Sequence, residues 1–407
     1  MGDLLRRYWH PVAATDRMRD RWTMRVRIHR EDLVLFRDRS GRFGLIAEVC
    51  PHRRASMAYG IPTAEGIRCP YHGWMFDGTG RCIEQPNEPE GSNFKDKVRT
   101  PGYPVEEFAG MIWAYLGPLP APLIPRLDGF VAEPAIRTVA LSRVNCNWLQ
   151  VMENSVDPIH TEWLHGHLFE FAREKRGIHE KLAYSRHHAR IAFDEVEYGI
   201  IKRRLMEGQS EDAADWKIGH PLVFPTILAF GTSDVDWHNY AYQIRVPIDD
   251  ETTEHYWYNS YVFGEGAEIP ADLVDTVPAY DISAYGPDGD YALEVVYSQD
   301  HMAWETQGQI AERNLEHLGA TDRGVIMFRN MLKREVKKVQ DGGEPMWVLR
   351  DRARNLRIDL PHEIRKDVNA LGFEDVVMRN AIWRTPIGPR IVEAYRATKQ
   401  PAGVTKS

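Results

Sequence analysis

Apolar and polar residues alternate in short runs from Thr23 to Val49: TMRVRIH, DLVLF and FGLIAEV, with the turn-forming RDRSGR before the last. This period-two pattern predicts a β-meander. Gly and Pro go on to punctuate short aromatic-rich runs in GIRCPYHGWMFDGTGRCIEQP and YPVEEFAGMIWAYLGP, so the first domain is predicted to be mostly β. Pro118 to Pro125, PLPAPLIP, places four prolines in eight residues and can continue neither a helix nor a central strand. A domain boundary is expected between there and about Val139. Beyond it, NWLQVMENSVDPIHTEWLHGHLFEF predicts helix, while ARIAFDEVEYGIIKRRL and HYWYNSYVFG predict long strands. From Thr321 to Gln340, Val325, Phe328, Leu332 and Val336 recur at helical spacing, with Lys and Arg on the other side. The second domain is therefore expected to be mixed α+β, and the chain shows neither internal repeats nor low-complexity segments.

Length changes this picture little: 407 residues suit two domains. With 43% hydrophobic and 27% charged residues, overall disorder is not expected. A net charge of -8 argues against a nucleic-acid partner, which would select a basic surface. No apolar run approaches the roughly 18 residues of a membrane span, and the opening MGDLLRRYWHPVAA lacks the apolar core of a signal peptide. Only four cysteines occur, Cys50, Cys69, Cys82 and Cys146, which fits a reducing, cytoplasmic setting.

Candidate chemistry begins with Cys50-Pro51-His52 and, after sixteen intervening residues, Cys69-Pro70-Tyr71-His72. Each half offers one thiolate and one imidazole from a tight proline-containing loop. Two Cys and two His suit a [2Fe-2S] cluster in which sulfur ligands hold one iron and imidazoles the other. The same four ligands also make a structural zinc site, although zinc fingers usually pair Cys with Cys and His with His. The following Gly73 suits a loop whose backbone approaches the sulfurs closely. Cys82 and Cys146 lie outside the motif and are expected to be buried and inert.

A second group follows in NSVDPIHTEWLHGH. His160 and His167 would share a helix face but stand about 10 Å apart along the axis, too far for one metal. His160 and His165, five apart, would point about 140° away from each other on an ideal helix. If they pair, the helix must be broken or distorted between them, and π-bulges are common at functional sites. Two His can form part of a 2-His-1-carboxylate triad on Fe(II), with the third ligand from elsewhere.

Taken together, CPHR with CPYHGW, and Asn154-x-x-Asp157-x-x-His160 followed by His165, resemble the motifs of Rieske-type non-haem iron aromatic oxygenases. The likeness runs from about Leu4 to Glu305 and is greatest to the phthalate dioxygenase-like branch, including its aryl-ether O-demethylases. It implies an α+β catalytic (alpha) subunit: an N-terminal all-β Rieske domain over 1–130, then a helix-grip (START-like) catalytic domain over 131–407 with an antiparallel sheet and packing helices. Cys50, His52, Cys69 and His72 would hold one [2Fe-2S] cluster. His160, His165 and Asp300 would hold one mononuclear Fe(II) that uses dioxygen as co-substrate, Asp300 matching a family Asp with an aromatic, Trp304, four positions on. If Asp300 instead only capped a helix, another carboxylate would be needed. The resemblance also implies that Asp157 bridges His160 to His72 of the partner subunit, within a homotrimer or homohexamer, and that Asn154 lies near the iron.

No G-x-G-x-x-G opens a helix after a strand, so the electrons are expected from a separate reductase or ferredoxin. Arg53, Arg54 and Arg68 would meet that donor. Phe224, Trp237, Tyr240 and Trp257 are candidate pocket residues, and Arg203 or Arg204 would clamp a substrate carboxylate unless both only line a solvated strand face. Three activities stay open: O-demethylation of a methoxylated aromatic acid to a phenol and formaldehyde, cis-dihydroxylation of a phthalate-like acid, and electron transfer alone. The last needs only the first domain.

Overall fold

The computed structural model describes residues 2–179, 181–362, 372–378 and 385–399. The chain divides into two compact units. The first comprises Met1–Ile124 with two short returns, Val246–Asp250 and Val348–Asp351; the second comprises Pro125–Arg245, Glu251–Trp347 and Arg352–Ser407. PLPAPLIP forms neither helix nor strand beyond one bridge between Leu123 and Leu349.

In the first unit the meander forms from Thr23–Ile28, Glu31–Arg37 and Phe43–Ala47, all antiparallel, with Gly102–Tyr103 added at the edge. Leu33, Val34, Leu35 and Phe36 are all buried, as befits a central strand covered on both faces. A second sheet has very short strands, Ile61–Pro62, Ile67–Arg68, Met75–Phe76 and Cys82–Glu84, and a third is made of Trp9–Ala14, Met111–Tyr115 and Val105–Phe108. One core cluster joins Val34, Phe36, Ile46, Met57, Ile67 and Phe76 with Cys50, Cys69, Trp74 and Cys82. The loops carrying the first Cys-His motif are thereby anchored in the apolar interior. Burying each large side chain there contributes about 1.5–3 kcal/mol.

The second unit is built on an eight-stranded sheet in the order His188–Val196, Gly199–Met206, His220–Val223, Ile227–Asp234, Trp237–Pro247, Thr253–Phe263, Ile136–Val144 and Ala279–Asp281. The last strand runs parallel to Ile136–Val144, which is itself antiparallel to Thr253–Phe263 over nine residue pairs from Ile136↔Tyr261 to Val144↔Thr253. ARIAFDEVEYGIIKRRL is not one long strand but a tight hairpin that turns at Glu197 and Tyr198. The helix Arg323–Gln340 buries Val325, Phe328 and Leu332, joined by Met331 and Val339, while Val336 is only half-buried.

NWLQVMENSVDPIHTEWLHGHLFEF is a broken helix. Trp148–Val156 is capped by the Asn147 side chain, which accepts from the Leu149 N–H at 3.0 Å. It ends at Asp157, whose backbone is extended (φ -79, ψ 121), as the residue before Pro158 prefers. The chain resumes as a short helix His160–Glu162, widens to a π-helix over Trp163–Leu168 and closes with Phe169–Glu174.

Candidate metal centres

The two Cys-His loops of the first unit share one backbone plan. The Cys50 N–H donates to Ala55 O (2.8 Å) and the Arg54 N–H to Cys50 O (3.0 Å); likewise the Cys69 N–H donates to Trp74 O (2.8 Å) and the Gly73 N–H to Cys69 O (3.0 Å). The fourth residue after each Cys is left-handed, Arg54 at φ 62 and Gly73 at φ 76. The glycine is explained by this turn, and by Pro86, whose Cγ would lie 2.8 Å from an added Cβ, rather than by approach to the sulfurs.

Within this frame Cys50 and Cys69 are buried, at 1% and 2% exposure, while His52 is exposed and His72 half-exposed. The two imidazoles lie with centroids 4.5 Å apart, and His52 stacks on Trp74 at 4.4 Å. Burial, and then the adjacent Cys69 sulfur, pushes the Cys50 thiol up to about 11. Contact with a metal cation reverses that preference, because a coordinating thiol is deprotonated outright. Two sulfurs inside and two imidazoles facing out suit a cluster that receives electrons from another molecule.

Arg68 is not available to such a donor in the way its sequence position suggests. Its guanidinium donates to Gly73 O (2.7 Å) and pairs with Glu84 (2.5 Å), bracing the second loop. Arg53 and Arg54 are exposed. Cys82 and Cys146 are both buried, and burial, then Glu305, pushes the Cys146 thiol up to about 12.

In the second unit, His160, His165 and Asp300 offer three ligand atoms within 4.8 Å of one another. The π-helix makes this possible. Its wider turn brings a residue five positions on back toward the first, and the His160 and His165 rings stand 5.2 Å apart at 82°. Asp300 comes from the middle of the helix Val296–Glu305, so it is not a cap; its Oδ1 lies 3.2 Å from His165 Nε2. His165 Nδ1 is 2.8 Å from Gln299 Oε1, and Gln299 is itself held by Leu293 O at 2.6 Å. That pairing places the proton on Nδ1 and leaves Nε2 to face Asp300, the usual way a second partner orients a metal-binding imidazole. Gln299 adjoins Asp300 in sequence but has no signal of its own.

Burial lowers the readiness of His160 to accept a proton, whereas Asp300, working against burial, raises that of His165. Two imidazoles and one carboxylate at this separation suit an iron with positions left open. Asp157 accepts from the Ile159 N–H (2.8 Å) and the His160 N–H (3.1 Å), and its Oδ2 lies 3.5 Å from His160 Nδ1. It thus caps the short helix and faces the His160 ring, with its side chain 26% exposed. His301 is buried, 3.3 Å from Ser142 Oγ, and Trp304 packs with Val144, Cys146 and Val151.

A cavity with about 670 Å³ of empty space, its mouth included, adjoins the triad. Asn154 lines it. Of the four candidate aromatic residues only Trp257 does so; Phe224 packs against Phe328, Trp237 against Phe373, and Tyr240 lies beside His238 and His362. Phe230 and Tyr184 also line the cavity, with nothing in the sequence to single them out. Strand alternation separates the two arginines: Lys202 and Arg204 face the cavity, while Arg203 is held on the other side by Asp194 and the carbonyls of Trp216 and Lys217. Arg204 pairs with Asp215 at 3.4 Å.

Arg245, missed from sequence, is the more telling cation. It lines the cavity at 1% exposure, its two terminal nitrogens donate to the neutral oxygens of Gln243, and its Nε has no hydrogen-bond partner among the described residues. Burial pulls it down to about 9, with the charge of the Asp300 carboxylate opposing that only in part.

Residues 8–104 match the Rieske [2Fe-2S] domain family, residues 144–278 the vanillate O-demethylase oxygenase C-terminal domain and residues 287–385 a LigXa C-terminal-like domain. Over 370 residues, 89% of this chain and 82% of the relative, the sequence is 39% identical to the 5,5'-dehydrodivanillate O-demethylase oxygenase subunit of a Sphingobium species. It is 31% identical to the phthalate 4,5-dioxygenase oxygenase subunit of Pseudomonas putida, covering 84% of each. Among solved structures, the QL mutant of Pseudomonas putida NdmA with theobromine matches with TM-score 0.61 at 19% identity, covering 84% of this chain and 93% of that one. Dicamba monooxygenase matches with TM-score 0.57 at 16% identity, covering 83% and 99%. At those identities the two structures speak for the fold.

Proposed function

We propose that this chain, which belongs to the Rieske-type non-haem iron oxygenases, is an oxygenase component that removes the methyl group from a methoxylated aromatic acid. It carries one [2Fe-2S] Rieske cluster and one mononuclear iron, with dioxygen as co-substrate. The domain reading is a Rieske domain over 1–130 and a catalytic domain over 131–407. Cys50, His52, Cys69 and His72 would hold the cluster, and His160, His165 and Asp300 the iron.

The observation that carries the substrate class is the cavity beside the triad. Arg245 is buried there without a carboxylate partner in its hydrogen bonds, and Lys202 and Arg204 line the same space. A buried guanidinium is costly unless an anion meets it. A substrate carboxylate supplies that anion in bidentate form, while Phe230, Leu228, Trp257 and Val296 face an aromatic ring. The aryl-ether choice follows the O-demethylase relative.

When bound, the iron supplies dioxygen activation and the cluster supplies electrons. The chain's own residues do the rest. Arg245 fixes the acid end, Gln299 holds the His165 tautomer, and the apolar lining keeps bulk water from the reacting methyl group. One substrate, one dioxygen, two electrons and two protons give a phenol, formaldehyde and water, the hydroxylated methyl collapsing as a hemiacetal.

The electrons would come from a separate reductase or ferredoxin, and the chain would work in the cytoplasm; among the described residues no helix is long and apolar enough to cross a membrane. A homotrimer or homohexamer with heterologous contacts would let Asp157 reach from His160 to His72 of the partner subunit, a role supported by its partial exposure. The decisive test supplies holoprotein with a compatible reductase and methoxylated aromatic acids. Formaldehyde equimolar with the phenol is expected, whereas a cis-diol with no formaldehyde would replace demethylation by ring dihydroxylation.

A further inference from the structure

The catalytic sheet has a second group of imidazoles on its other face. Along Ile227–Asp234 and Trp237–Pro247, Phe230, Gln243 and Arg245 line the triad cavity. Gly231 pairs with Tyr240, and His238, Tyr240 and Tyr242 alternate onto the opposite face. There the buried Asp128 accepts from His362 Nε2 at 2.8 Å, from the Leu360 N–H at 3.0 Å and from the Tyr242 hydroxyl. The carboxylate holds the His362 proton on Nε2 and so turns the lone pair of Nδ1 outward.

What that nitrogen faces is the Nε2 of His238. A Cβ built on Gly231 would lie 3.2 Å from His362 Nδ1 and 3.2 Å from His238 Nε2, with the main-chain oxygen of Asn239 at 3.1 Å. Neither nitrogen has a hydrogen-bond partner among the described residues, although both are buried, and their rings stand 5.4 Å apart. The absence of a side chain at Gly231 leaves a space into which two imidazole nitrogens point. His238 is pulled down to about 4, chiefly by burial. The cation Arg357 is engaged by Asp359 at 2.7 Å.

We propose that His238 Nε2 and His362 Nδ1 form a second metal site, distinct from the triad, for a borderline divalent transition-metal ion of the zinc class. Imidazole nitrogens suit zinc, copper and nickel. The Asp128–His362 pair has the carboxylate–histidine arrangement that orients metal-bound imidazoles. Two protein ligands leave the shell to be completed by water, with the Asn239 carbonyl at hand.

Iron-loaded holoprotein dialysed against zinc chloride tests this, with iron and zinc measured in the same samples. One zinc per chain is expected with the iron content unchanged, and Gly231→Ala and His238→Phe are each expected to lose it while keeping cluster colour and iron. Zinc that enters only as iron leaves would mean the triad alone binds it, and would overturn the proposal. So would equal zinc uptake by both variants. Because Gly231→Ala can disturb the strand pair, anomalous diffraction at the zinc edge on wild-type crystals gives an independent reading. A peak between His238 and His362 is expected; a water molecule alone, donating to both nitrogens, would refute the site.

Discussion

The two candidate iron centres are built in opposite ways. The Cys-His loops close on their own backbones within five residues, keep their sulfurs inside and turn His52 outward. The triad gathers His160 and His165 from a distorted helix and Asp300 from another, with His165 and Asp300 only 5% and 7% exposed. The contrast teaches that a centre receiving electrons can be a local, surface-facing structure. A centre for oxygen chemistry needs water excluded and substrate admitted, and only distant chain segments can enclose such a space.

The sharpest way to break this comparison is to remove a ligand from one centre and watch the other. Asp300→Ala should lower iron from about three to about two per chain and abolish turnover, with the visible cluster spectrum unchanged; full iron and activity would mean another carboxylate is the ligand. Asp157→Asn should come next. It should assemble, keep its colour and keep its iron, yet turn over very slowly, because the charge facing His160 is gone. Cluster oxidation at the native rate in a single turnover would remove Asp157 from the electron path.

Arg245→Gln probes the cavity side of the comparison. Losing a charge-assisted contact costs about 1.5–3 kcal/mol, or roughly ten- to a hundredfold in KM for a carboxylated substrate. The penalty should vanish for the corresponding uncharged methyl ether; an equal penalty for both would assign Arg245 a structural role. The smallest effect is expected in the loops. Gly73→Ala places a Cβ in a left-handed position, costing about 1–2 kcal/mol, beside Pro86. Arg54→Gly at the matching position should cost less or stabilise. Thermal loss of cluster absorbance compares the two, and identical shifts would contradict the shared backbone plan.

The first domain's meander and its four candidate cluster ligands were legible because their determinants are local: period-two alternation, and Cys, Pro and His within a few residues. The break between His160 and His165 could also be argued from spacing, since an ideal helix points the two apart, and the π-helix supplies it. The choice of Asp300 came from resemblance, for nothing local separates it from other acidic residues in helices.

By itself, then, the sequence determined the two-part α+β organisation and offered Cys50, His52, Cys69 and His72, and through family resemblance the His160 and His165 pair, as candidate ligands. Tertiary structure alone decided that Gln299 sets the His165 tautomer, that Arg204 rather than Arg203 faces the cavity, that Arg68 braces a loop instead of a partner, and that Arg245 lies buried beside the triad. Each of these depends on which face of a strand or helix meets a segment tens to more than a hundred residues away. Hydrophobic periodicity says that a face is buried, but a charged residue's partner is chosen by the packing of the whole sheet.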